Sequence, residues 1–199
     1  HGDQEVFSLS KMIELFDLKN VNKAPGSFNQ DKLLWLNQEY IKTADTKHLT
    51  DQLAWHLNAQ SVDVNNGTDI SKVIDALRER SKTLVEMVNN MKMFYQDFDE
   101  FDEKLAKKQF KSSARPIITA LLEKYTQLED WSSEEIHHVV KQVCDEQDVG
   151  FGKVGQPFRL ALSGTGNAGS IDVVAELVGK ERTIARLNMA LDYIAHRSN

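Results

Sequence analysis

A chain of 199 residues, 41% hydrophobic and 27% charged, is long enough to bury a real core and too apolar for a disordered tail. Its formal net charge of -6 speaks against a generic nucleic-acid binder, whose footprint is basic. The single cysteine, Cys144, excludes an internal disulfide and suits a reducing cytosol. No apolar run reaches the roughly 18 residues of a membrane span, and no signal peptide opens the chain. A start at His1, with no helical signal in Gly2-Asp3-Gln4-Glu5, points to a piece of something longer.

Residues 8–17, SLSKMIELFD, predict a short helix burying Met12, Ile13 and Phe16. After a loop punctuated by Pro25-Gly26, Asn29 caps a second helix. Phe28 is placed there as a hydrophobic staple, and Leu33, Leu36 and Tyr40 share a face that Trp35 and Ile41 widen. Leu49, Leu53, His56 and Leu57 trace a third helix over about residues 47–59, and the polar residues 60–69 a loop. Two helices follow, one carrying Ile70, Val73, Ile74 and Leu77, the other Leu84, Met87, Val88 and Met91. Their phase slips at Arg78-Glu79-Arg80-Ser81-Lys82, which predicts a break.

In YQDFDEFDEK acids alternate with Phe98 and Phe101, but Asp102 stands where a calcium loop needs glycine. The stretch reads as a solvated acidic loop with two aromatic anchors. Ser112-Ser113-Ala114-Arg115-Pro116 then starts a helix with Ile117, Leu121, Tyr125 and Leu128 inward. Ser132 and Glu135 form a capping box for the next, whose core positions are Ile136, Val139, Val140 and Val143.

Residues 152–187 decide between two classes. Gly164-Thr165-Gly166-Asn167-Ala168-Gly169 matches a dinucleotide-binding G-x-G-x-x-G if residues 158–163 form a strand. That unit needs a second parallel strand carrying an acid. Instead Ile184, Leu187, Leu191 and Ile194 continue at helical spacing. Pro157 suits the first position of a helix and Gly164 the position just past a helix end. Residues 156–163 are therefore expected to be a short helix, and the glycines a tight turn between helices. With no strand alternation anywhere, the expected fold is all-α.

No catalytic constellation survives. Glu134-x-x-His137 and Glu135-x-x-His138 lack the second such pair that a bundle metal site needs. Nothing local lowers the pKa of Cys144, and Ser163-Gly164 lacks the glycines of a nucleophile elbow. From Val149 onward six Lys and Arg face four Asp and Glu, so an acidic body ends in a mildly basic tail. Arg78, Arg80 and Lys82 at a helix break, with Arg159 beside the glycine turn, fit either solvated, paired cations or readers of the splayed bases of an RNA loop. By pattern alone the chain is a helical binding module.

Three blocks carry a resemblance. They are HGDQEVFSLSKMIELFDLKNVNKAPGSFNQDKLLWLNQEYI, then LRERSKTLVEM with FYQDFDEFD, then GKVGQPFRLALSGTGNAGSIDVVAELVGKERTIARLNMALDYI. Across them the chain resembles the C-terminal part of bacterial glutamyl-tRNA synthetases, class I enzymes. The HIGH and KMSK motifs of that family's catalytic half are absent; Ser10-Lys11-Met12 begins like the second and departs at Ile13. The resemblance implies a tail of the stem-contact region over residues 1–45 and a two-lobed helical anticodon-binding cage, its lobes at 46–112 and 113–199. It implies that Arg80, with Arg78 beside it, meets the third anticodon base, a cytosine, as in enzymes that accept tRNA(Glu) and reject tRNA(Gln). Arg159 falls at the middle base, and Ile171 at the first. The preceding turn, often Ser/Thr-Pro in the family, reads Ala168-Gly169 here. The partner implied is the anticodon loop of tRNA(Glu), bound by a cytoplasmic monomer. ATP and magnesium would serve the parent's catalytic domain, with no catalytic residue, metal or cofactor in this part. A helical protein-interaction adaptor is the alternative.

Overall fold

The computed structural model describes residues 4–21, 23–167 and 169–197, and these are helical without a strand. In chain order the helices are α1 (Leu9–Leu15), α2 (Gln30–Thr43), α3 (Thr46–Ala59), α4 (Ile70–Leu77) and α5 (Leu84–Tyr95). Then come α6 (Glu103–Gln109), α7 (Arg115–Gln127), α8 (Ser133–Glu146), α9 (Phe151–Ser163), α10 (Ile171–Val178) and α11 (Lys180–Arg197). Short polar side chains set many of the starts by accepting an otherwise orphaned backbone N–H: Asn29 takes that of Lys32, Asp45 that of His48, and Asp102 that of Leu105. Ser132 takes the N–H of Glu135, as its capping box predicts.

The core is continuous. Apolar stripes of α3, α4 and α5 meet one another, those of α7, α8, α9 and α11 form the other half, and α10 packs against both α4 and α5 on one side and α8, α9 and α11 on the other. Leu53, Ile74, Met91, Ile118, Val140, Phe158 and Leu187 are fully enclosed. Each such side chain contributes about 1.5–3 kcal/mol of transfer free energy.

Arg186 of α11 fastens the two halves together. Its guanidinium donates to Leu162 O at the end of α9 and to Met93 O (2.7 Å) and Gln96 O (3.0 Å) at the end of α5, and it lies 4.8 Å from the Phe98 ring centre. One cation thus meets the carbonyl-rich ends of two helices, where a positive charge is favoured. Burial pulls its pKa down to about 10, so it stays charged at neutral pH. Arg182 completes the joint, with Nη1 on Phe94 O (2.8 Å) and Nε on Asp97 (2.8 Å).

Several expectations are corrected. The α1 face is not buried: Ile13 is 69% and Phe16 66% exposed. Helical spacing fixes which side of α1 is apolar, not whether anything lies on it. Phe28, the expected staple, and Leu33 of the α2 face are likewise exposed. The helix placed at residues 156–163 begins at Phe151, so Pro157 sits inside α9. An interior proline removes one ladder bond at a cost of roughly 3 kcal/mol, yet Val154, Gly155, Pro157 and Phe158 are all buried, and that packing carries the helix through. The acidic loop, by contrast, runs into α6 with its two aromatic anchors as expected. Phe101 is buried edge-on against Phe110 (4.9 Å), and Asp97 is held by Arg182.

Candidate nucleic-acid interface

The break between α4 and α5 is a 3-10 turn, Arg78–Arg80. Ser81 is buried and returns its hydroxyl to Leu77 O (3.0 Å). Thr83 accepts the Glu86 N–H (3.1 Å), while the Glu86 carboxylate accepts the Lys82 N–H (2.9 Å). Two neighbouring arginines in this turn have opposite fates. Arg78 turns inward, paired with Asp75 (3.1 Å) and donating to Ile41 O (3.3 Å) and Ala44 O, so its donors close off the end of α2. Arg80 is exposed and forms no ion pair or hydrogen bond among the described residues.

Arg159 comes from the other half of the molecule, on α9. It is half-buried, with its Nε enclosed and without a partner. Its pKa lies below the ordinary arginine value, through burial first and the positive charge of Arg80 second. The fold therefore brings the two predicted arginines within electrostatic reach of each other, and neither forms an ion pair among the described residues. In a chain of net charge -6, acids were available for pairing. A guanidinium only donates, so this spot is built for a ligand rich in acceptors.

The glycine turn lies beside them. Gly164 ends α9 in the left-handed region (φ 72°), its N–H on Leu160 O (2.9 Å), as expected for the residue past a helix end. A side chain there would also meet the Phe98 ring at 3.1 Å. Ser163 Oγ donates to Arg159 O and accepts the Gly166 N–H, each at 2.8 Å, so the turn is bonded directly to the arginine's own backbone. Asn167 Nδ2 reaches across to Asn90 Oδ1 on α5 (3.0 Å). Gly169 is buried near Ala76 O, and Ala168 lies outside the described residues.

Ile171, at the start of α10, is 2% exposed and packs over Gly155. What this corner offers a ligand is the rim of α10, not the Ile171 side chain. Next to it Asp172 accepts from the Ser170 hydroxyl and the Val173 N–H, and lies 3.1 Å from His137 Nδ1. Burial works against that carboxylate's charge, but these hydrogen bonds and His137 together hold its pKa below 3.8. Burial raises the pKa of the Cys144 thiol, which makes it a poor nucleophile. Among the described residues no cluster of three His, Cys, Asp or Glu could hold a metal.

Sequence reading did not identify Arg186 as a joint, although a charged residue between Thr183 and Leu187 on the buried stripe of α11 was a legible signal. Nor did it identify Asn37 and Gln38, which look like ordinary solvated helix residues and give no such signal.

A family model described as an anticodon binding domain matches residues 39–191. The chain is 55% identical over 193 residues to a glutamate–tRNA ligase of Vesicomyosocius okutanii subsp. Calyptogena okutanii (strain HA), covering 97% of this chain and 42% of that protein. It is 54% identical over 192 residues to the glutamate–tRNA ligase of Ruthia magnifica subsp. Calyptogena magnifica, with 96% and 42% covered. Two solved structures are similar. A glutamate tRNA ligase from Elizabethkingia meningosepticum CCUG26117, in complex with its amino acid, superposes with a TM-score of 0.81 at 30% identity, covering 94% of this chain and 37% of that one. A glutamate-tRNA synthetase from Elizabethkingia anophelis gives 0.77 at 30% identity, covering 94% and 36%. The chain spans less than half the length of the relatives it matches. With the family model covering most of an all-α chain whose halves converge on a pair of unpaired arginines, the chain belongs to the anticodon-binding-domain family.

Proposed function

We propose that this chain is the part of a glutamate–tRNA ligase that grips the anticodon loop of tRNA(Glu). The observation that carries the reading is the Arg80–Arg159 combination: two guanidiniums from different halves, within electrostatic reach of each other and without an ion pair among the described residues. Arg80 donates to the third anticodon base, a cytosine. Arg159 meets the middle base, with the turn whose sequence is Ala168-Gly169 assigned to that same base, and the Ile171 end of α10 faces the first. Arg78 stands behind Arg80 and holds its turn. Unstacked bases offer ring acceptors that a donor-only fork can read, and the acceptor positions of cytosine differ from those of a purine.

The ligase reaction, with ATP, magnesium and glutamate, belongs in this reading to the remaining length of such enzymes. No residue of the present chain is assigned to it. Residues 46–112 and 113–199 act as the two lobes of the cage, with residues 1–45 as the tail of the stem-contact region, in a cytoplasmic monomer.

The test is aminoacylation by the full-length ligase carrying Arg80→Gln, assayed with tRNAs differing at the third anticodon base. We expect the cytosine preference to fall by about tenfold or more, since a good base contact is worth about 1–3 kcal/mol, while glutamate-dependent ATP–pyrophosphate exchange is unchanged. Unaltered selectivity refutes the role of Arg80. The adaptor alternative is tested by filter binding of tRNA(Glu) at two salt concentrations: affinity that falls with salt marks phosphate contacts, and no binding at either favours the adaptor.

A further inference from the structure

We propose that Asn37 and Gln38 of α2 are positioning residues for Arg80, so that the selectivity of the base contact is set in part by a helix that does not itself reach the base. The proposal rests on the anticodon reading given above. The turn carrying Arg80 leaves the carbonyls of Glu79 and Lys82 outside any helical ladder. Gln38 Nε2 donates to Glu79 O at 2.9 Å and Asn37 Nδ2 to Lys82 O at 2.6 Å. Because a carbonyl only accepts, the amide nitrogen must face it, and the orientation of both side chains follows. The two bonds bracket Arg80, one on the residue before it and one two residues after.

Arg78 grips the same turn from the other direction, through Ile41 O and Ala44 O at the far end of α2. The turn is therefore held at both ends by one helix. Arg80 itself needs that support. Its exposed side chain has no partner among the described residues, so only its backbone is fixed. A contact that must discriminate has to be held within about 0.5 Å of its productive geometry by surrounding bonds. α2 is in turn tied to the preceding chain by Lys32 to Glu5 (2.7 Å) and by the Tyr40 hydroxyl to Phe7 O (2.5 Å).

Both amide bonds are solvent-exposed, so their loss affects stability little and position more, which makes the two roles separable. The test uses the full-length ligase with Asn37→Leu and Gln38→Met combined, changes that add no charge and keep good helix formers in α2. The cytosine-over-guanine ratio of kcat/KM at the third anticodon base should fall by about fivefold, the worth of an ordinary hydrogen bond, with Tm and ATP–pyrophosphate exchange unchanged. Added to Arg80→Gln, the pair should cause no further loss, because it acts through that side chain. If Arg80→Gln lowers the ratio and the α2 variant does not, or lowers kcat/KM equally for both tRNAs, positioning is overturned and the anticodon reading stands. If Arg80→Gln leaves the ratio unchanged, both fall.

Discussion

At the scale of single residues, the cations of this chain divide by what they touch. Arg78, Arg182, Arg186 and Lys180 are spent on helix-end carbonyls and hold the fold together. Arg159 is half-buried without a carboxylate beside it, and its enclosed Nε has no partner. A desolvated, unpaired charge costs free energy, and replacing such a group by an apolar one of similar reach is often neutral or stabilising. In Arg159→Met the repulsion from Arg80 also disappears. We therefore expect the free protein to gain up to about 1 kcal/mol, discounted for partial exposure, while the tRNA KM of the full-length ligase rises. Urea denaturation and aminoacylation measure the two sides. If the variant is both destabilised and normal in tRNA binding, Arg159 is a packing residue and its assignment to a base is wrong.

At the scale of elements, the α9–turn–α10 unit separates what local sequence specifies from what packing decides. Gly164 was legible because only a residue free of a Cβ enters the left-handed region without penalty, and it does end α9 there. The start of α9 was not legible. Local rules place Pro157 first, and only the buried stripe of Val154, Gly155 and Phe158, made by distant helices, explains a helix that begins six residues earlier. The α1 face fails in the opposite sense, since its periodicity is real and its burial is absent. The site divides in the same way. Arg80 and Arg159 stood out as cations at helix interruptions, but their adjacency depends on how two halves dock, and no spacing rule encodes that. Gly164→Ala should cost about 1–2 kcal/mol, from forced positive φ plus the Phe98 ring in the path of the new methyl. Because Ser163 Oγ links the Gly166 N–H of this turn to Arg159 O, tRNA affinity should drop along with stability. A chemical-denaturation midpoint equal to wild type would show that the turn adapts freely.

At the scale of the whole molecule, the question is whether the two lobes are separate bodies. Polar links across the 112/113 boundary include Arg186 to Met93 O and Gln96 O, Arg182 to Phe94 O and Asp97, Asn167 to Asn90, and the Asp102 N–H to Gly164 O (2.8 Å). α10, in the half after residue 112, packs on α4 and α5 in the half before it. A shared core with a buried arginine across the joint should unfold as one unit, the behaviour of small single domains. With Trp35 and Trp55 replaced by Phe, Trp131, whose indole N–H donates to Ala175 O (3.0 Å), reports on the C-terminal half by fluorescence, while far-UV circular dichroism reports on the whole chain. We expect the two urea transitions to coincide. Arg186→Ala should shift both together by about 3 kcal/mol or more, because it strands carbonyls at the ends of α5 and α9, each costing about 1–3 kcal/mol when left unpaired. No part of this effect should vary near neutral pH. The folded pKa of about 10 lies below the ordinary arginine value, so only between the two does the unfolded chain bind the extra proton and stability rise with pH. If the fluorescence transition separates from the dichroism transition in the chain with Trp131 alone, the two halves fold independently. The closeness of Arg80 to Arg159 would then depend on a hinge, and tRNA would have to supply the docking that a shared core otherwise provides in advance.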